Sequence, residues 1–100
     1  MLSPSYSISP KDLWNAIATQ TAPQIIDVRR RKAFDQSPHL LPGAIWQDAG
    51  SVQQWKNDLD PTRPLIVACK AGHEMSQTTV AQLRVDGIDA QVLEGGYEGW

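Results

Sequence analysis

Cys69 is the only cysteine in the chain, and it stands directly after the apolar run Leu65-Ile66-Val67-Ala68 and at the head of Lys70-Ala71-Gly72-His73-Glu74-Met75. The segment Ser76-Gln77-Thr78-Thr79-Val80-Ala81-Gln82-Leu83 reads as a helix opening, so the loop joins a buried strand to a helix N-terminus. The unpaired N–H groups and aligned peptide dipoles there attract an anion, a thiolate included. The chemistry within reach is nucleophilic: a thiolate that attacks a sulfur atom, carries it as a persulfide and surrenders it to a second thiophile. For that chemistry the backbone from Lys70 to Met75 would cradle the thiolate and the persulfide sulfur. Gly72 would let the loop curl through a positive φ. Lys70 brings a cation suited to a small anionic donor such as thiosulfate, and Ser76 can cap the helix, hydrogen-bond the thiolate, or do both.

The elements that must position this loop follow from the rest of the chain. Ser9-Pro10-Lys11-Asp12 supplies a cap, a proline at the first helical position and an early acid. With Leu13, Trp14 and Ile17 at helical spacing, it predicts a first helix. Gln24-Ile25-Ile26-Asp27-Val28 reads as a strand buried on both faces, the pattern of a parallel sheet. A short polar helix from about Arg30 to Phe34 is expected next, then a turn at Pro42-Gly43 and a brief strand at Ala44-Ile45-Trp46. Val52, Trp55 and Leu59 predict another short amphipathic helix. Leu65 to Ala68 is a strand, about Ser76 to Asp86 a helix stopped by Gly87, and Ala90 to Leu93 a last strand closed by Gly95-Gly96. Alternating strands and helices on short connections specify one α/β domain, in three layers, with a mainly parallel sheet and helices on both faces. Ligands in such sheets sit beyond the carboxyl ends of the strands, where Cys69 falls. Tyr97-Glu98-Gly99-Trp100 reads as the start of a helix without room to continue, so the native chain is expected to extend past residue 100.

Composition narrows the function. A chain of 100 residues with 41% hydrophobic content suits a single globular core, and a net charge of −2 provides no basic field for nucleic acid or an anionic membrane. The N-terminus lacks a signal-peptide pattern and no segment is long enough to span a bilayer. A lone cysteine forms no internal disulfide, which fits a reducing compartment, and a cytoplasmic protein is expected.

Four ordered segments resemble the rhodanese family. Asp27-Val28-Arg29 with Phe34 is similar to its Asp-Val-Arg segment, and His39-Leu40-Leu41-Pro42-Gly43-Ala44 to its His-Ile-Pro-Gly-Ala stretch. Cys69-x-x-Gly72 resembles the opening of its active loop, and Leu93-Glu94-Gly95-Gly96-Tyr97-Glu98-Gly99-Trp100 its closing Gly-Gly-x-x-x-Trp element. The resemblance implies a rhodanese-like fold and a sulfurtransferase without cofactor, in which Cys69 carries a persulfide. The acceptor would be cyanide in the assay and a thiol or a protein in the cell. It also implies that Asp27 and Arg29 are structural, pairing near the sheet edge to hold the loops below the site.

The loop departs from the family pattern. Where many relatives place an arginine and then a serine, this chain has Glu74 and Met75, and the serine follows one place later as Ser76. The longer loop resembles related phosphatases and arsenate reductases, but Met75 occupies the position of their phosphate-clamping arginine and cannot bind phosphate oxygens. Gly72-His73-Glu74-Met75-Ser76 is instead similar to a variant in rhodanese-like modules, some linked to chromate resistance. Two other functions therefore stand beside sulfur transfer: a regulatory or interaction module of the same fold, and a thiol-dependent reductase of arsenate or chromate that borrows a resolving thiol. His73 and Glu74 either handle protons and orient the donor or shape the loop, and with Cys69 they are too few and too close in sequence to surround a metal. Of Arg29-Arg30-Arg31-Lys32 only Arg29 is given a specific role, the others reading as a solvated helix face. His39 is expected to satisfy a loop carbonyl, and Trp14, Trp46, Trp55 and Trp100 to pack in the core and as a lid.

Overall fold

Two neighbouring four-residue strands, buried along almost their whole length, form the centre of the molecule. The computed structural model describes residues 6–19, 22–70 and 74–100. Strands β1 (Ser7–Ile8), β2 (Gln24–Asp27), β3 (Ile45–Trp46), β4 (Leu65–Ala68) and β5 (Ala90–Leu93) form one sheet in the order β1-β5-β4-β2-β3. Every pairing among them is parallel, with Ile25 opposite Ile66 and Asp27 opposite Ala68 across the central pair. Helices α1 (Pro10–Ile17), α2 (Arg31–Gln36), α3 (Val52–Trp55), α4 (Glu74–Val85) and α5 (Gly96–Gly99) complete the chain, with 3-10 turns flanking α3.

Side chains alternate across the sheet with period two. Ile26, Val28, Leu65, Val67 and Cys69 face Val52 and Trp55 of α3 and Val80 and Leu83 of α4. Ile25, Ile66, Ala68 and Leu93 face Leu13 of α1, with Tyr97 of α5 against them. Helices thus cover both faces, which is why β4 is buried at all four positions.

The caps follow the sequence closely. The Ser9 hydroxyl accepts from the Asp12 amide at 3.1 Å to start α1. At the end of α4 the Gly87 amide donates to Arg84 and the Ile88 amide to Leu83, a Schellman closure that sets Gly87 at φ +80°. One strand was not expected, and three expectations need correction. The edge strand β1 has no counterpart in the sequence pattern: at two residues it is too short to carry an alternation. Helix α4 begins at Glu74 rather than Ser76, which removes Ser76 from the capping position. The single helix expected around Val52, Trp55 and Leu59 is α3 with its two 3-10 turns. Trp55 is buried, but Trp14 is 61% exposed and Trp100 38%, so these two rings, 5.9 Å apart, lie on the surface rather than in the core.

No helix among the described residues is long and apolar enough to cross a membrane.

Candidate active site

From β2 the chain moves outward to β3 on one side, and from β4 outward to β5 on the other. The connections leaving β2 and β4 therefore diverge and open a crevice at their carboxyl ends, the place where open parallel sheets bind ligands. Cys69 leaves β4 at this point. It is 6% exposed and borders a cavity of about 230 Å³. Arg29, Arg30 and Ala33 line that cavity from the β2 side, and Lys70, Glu74 and Met75 from the β4 side.

The Cys69 Sγ lies 3.1 Å from the Ser76 Oγ, in a hydrogen bond inside the core. Ser76 is the third residue of α4 and fully buried. When the sulfur is a thiolate, the hydroxyl is the donor of this pair. Glu74 and Met75 stand in the first turn of α4, Glu74 exposed and Met75 half-buried, and Lys70, directly after Cys69, is exposed. Ala71, Gly72 and His73, expected to build the middle of the anion cradle, lie outside the described residues.

Two further devices hold the cysteine. Helix α5 is a single turn whose first amides have no partner within the helix. Tyr97 donates its amide to the Cys69 carbonyl at 2.7 Å and Glu98 donates to the Lys70 carbonyl at 2.9 Å. This docking needs the tight reversal at Gly95 and Gly96, both left-handed at φ +73° and +58°. A Cβ on Gly95 would meet the Gly99 Cα at 3.2 Å, so a side chain there would be crowded as well as strained by the left-handed backbone.

The second device is Arg29, whose side chain is almost wholly buried. Its Nε donates to the Asp27 carboxylate at 2.8 Å, and its terminal nitrogens donate to the carbonyls of Ser37 at 2.8 Å and His39 at 3.1 Å. Its guanidinium also sits 3.9 Å from the centre of the Tyr97 ring. A planar cation with five donors can satisfy a carboxylate, two carbonyls and an aromatic face together, which lysine cannot. Arg29 thus joins β2, the loop after α2 and α5, and through Tyr97 it reaches the Cys69 carbonyl. The Asp27–Arg29 pair sits at the carboxyl end of β2, which lies between β4 and β3, so it is inside the sheet rather than at its lateral edge. His39 enters this network through its own carbonyl.

The cationic run divides by environment. Arg31 pairs with Asp35 at 3.0 Å and leans on Trp46, as a solvated helix face would. Arg30, expected on that same face, instead lines the Cys69 cavity. The available signal was its position: Arg30 is the residue just before α2, in the connection leaving β2, and neighbouring parallel strands present such connections side by side.

Comparison with known proteins agrees with this architecture. The model of the rhodanese-like domain matches residues 9–100. The chain is 34% identical over 77 residues to the thiosulfate sulfurtransferase GlpE of Pseudomonas syringae pv. syringae, covering 76% of this chain and 70% of that protein. Among solved structures it is similar to a rhodanese-like domain protein from Staphylococcus aureus, with a TM-score of 0.82, 26% identity and coverage of 94% and 89% of the two chains. It is also similar to a rhodanese homologue from the extreme thermophile Thermus thermophilus, with a TM-score of 0.70, 27% identity and coverage of 92% and 96%. The all-parallel sheet, the cysteine at its switch point and these matches agree: the chain belongs to the rhodanese-like domain family.

Proposed function

We propose that the protein is a sulfurtransferase that moves sulfane sulfur from a donor such as thiosulfate to a thiophilic acceptor through a persulfide on Cys69. The observation that carries the reading is the placement of Cys69: a thiol bordering the crevice cavity, hydrogen-bonded to Ser76 and pinned through its carbonyl by α5. The likeness to named thiosulfate sulfurtransferases supports the reaction class.

In the first half-reaction the Cys69 thiolate attacks the outer sulfur of thiosulfate. A new S–S bond forms as the donor's S–S bond breaks, and sulfite leaves with the electron pair. In the second, an acceptor thiolate or cyanide attacks the terminal sulfur and Cys69 departs as thiolate. Ser76 Oγ–H stabilises the thiolate at the start and end of the cycle, because its donor hydrogen points at the sulfur when the charge is there. Lys70 supplies positive charge for the anionic donor, and Asp27 with Arg29 gives structural support beside the loop. The backbone from Lys70 through Ala71, Gly72 and His73 to Met75 is the anion cradle of this reading. No cofactor, metal, nucleic acid or membrane enters the mechanism. A reducing compartment, the cytoplasm, keeps the thiol available.

The test is an intact mass. Thiosulfate should add one sulfur, about 32 Da, to the wild type and nothing to Cys69→Ser. If thiosulfate, mercaptopyruvate and a persulfide donor all leave the mass of a folded wild type unchanged, sulfur transfer is wrong, and the fold serves as an interaction module or an oxyanion reductase.

A further inference from the structure

Three charged side chains border the Cys69 cavity without an ion pair among the described residues: Arg30 before α2, Lys70 beside the cysteine and Glu74 at the start of α4. The fourth charge at the cavity, Arg29, is already neutralised by Asp27. A site shaped only for a small dianion has no use for a carboxylate at its wall. Nor does it need apolar surface, yet Ala33 and Met75 supply some.

We propose that Arg30 and Glu74 select the sulfur donor by charge, and that the favoured donor is an organic persulfide of amino-acid type, carrying a carboxylate and an ammonium group, rather than a dianion. This rests on the sulfurtransferase reading. Arg30 and Lys70 hold the carboxylate, Glu74 holds the ammonium and raises the cost of any second negative charge, and the carbon chain lies on Ala33 and Met75. The Cys69 thiolate attacks the outer sulfur of the protonated donor R–S–SH. The new S–S bond forms as the inner one breaks, R–S⁻ leaves with the electron pair, and the hydrogen stays on the transferred sulfur.

The experiment has two arms on wild type, Arg30→Gln and Glu74→Gln. The first measures alkylation of Cys69 by anionic iodoacetate against neutral iodoacetamide and needs no sulfur transfer. Their rate ratio should fall about two- to fivefold in Arg30→Gln and rise by a similar factor in Glu74→Gln, the size expected of exposed charge pairs. Both effects should collapse in 1 M salt, where the screening length is about 3 Å. A purely structural role would alter both reagents alike and ignore salt. The second arm compares kcat/KM for thiosulfate and for cysteine persulfide. Wild type should favour the persulfide. Glu74→Gln should improve thiosulfate and weaken the persulfide, while Arg30→Gln weakens both. An unchanged alkylation ratio overturns the charge selection. A shifted ratio with thiosulfate preferred by wild type overturns the donor assignment. A shifted ratio with no sulfur uptake from either donor overturns the sulfurtransferase reading and the donor assignment with it, leaving only the charge pair.

Discussion

Replacing Asp27 by asparagine removes one charge from an ion pair whose two side chains are each 1% exposed. The Arg29 guanidinium would stay charged and buried, and stripping one partner from such a pair costs about 3–5 kcal/mol. The lower end applies here, because the Ser37 and His39 carbonyls and the Tyr97 ring remain, and an asparagine oxygen can still accept one hydrogen bond. A loss of about 3 kcal/mol is a large share of the roughly 5–15 kcal/mol that holds a domain together. It corresponds to a fall in Tm of about 12–24 °C for a domain of this size. Urea unfolding followed by tryptophan fluorescence, with Trp55 buried as reporter, would register it as a midpoint shift of about 1–3 M. Asp35→Asn is the control: it breaks an Arg–Asp pair of similar length, 3.0 Å, whose side chains are 70% and 57% exposed, and should cost only about 0.3–0.5 kcal/mol. If the two variants unfold at the same urea concentration, burial does not set the worth of these pairs and the structural role given to Asp27 fails.

The remaining predictions concern the thiol and the acid limb of stability. Ser76→Ala removes the hydroxyl 3.1 Å from Cys69, and since a hydrogen bond to a charged group is worth about 1.5–3 kcal/mol, kcat/KM for sulfur transfer should fall roughly tenfold or more with near-UV circular dichroism unchanged. An undiminished rate would remove Ser76 from the mechanism. The hydrogen bond from Lys56 holds the Asp86 carboxyl below its ordinary value of 3.8, against the opposing effect of desolvation and with help from the Lys56 charge. A depressed folded pKa gives stability that is present above the ordinary carboxylate range and lost as pH falls through the lowered value. Lys56→Ala should therefore flatten the loss of stability on acidification and raise the Asp86 titration midpoint, followed by NMR. Asp60, lowered chiefly by the Thr62 hydroxyl and amide, should titrate as before.

What the sequence made legible was whatever depends on local pattern. β4 and β5 were readable to the residue because apolar runs bounded by turn residues leave a parallel strand little freedom, and Gly87 announced its helix end because a Schellman closure needs a left-handed residue. The start of α4 was less visible, since Glu74 and Met75 fit a loop or a first helical turn equally well. Trp14 and Trp100 escaped for a related reason: helical spacing locates a ring on a face but does not say whether the facing layer reaches far enough to cover it. Neither exposure nor contact between these two distant rings is written in either local segment.

The division of labour among Arg29, Arg30 and Arg31 marks the boundary more sharply. As neighbours of one residue type they are indistinguishable by composition, yet one is almost wholly buried against a carboxylate, one lines the cavity of the thiol and one pairs along its own helix. What separates them is the place where β2 ends. Arg29 follows the strand closely enough for its amide and its Nε both to reach the Asp27 carboxylate, and Arg31 has already entered α2. Arg30, between the two, lines the crevice formed by diverging connections with no ion pair among the described residues. That crevice exists because β4 pairs directly with β2 while β3 and β5 lie on their outer sides, so the chain leaves the two central strands in opposite directions. Cys69 could be placed at the end of β4 from its own segment. The residues that line its cavity come in part from the connection after the neighbouring strand, and the pairing of β2 with β4 brings them there.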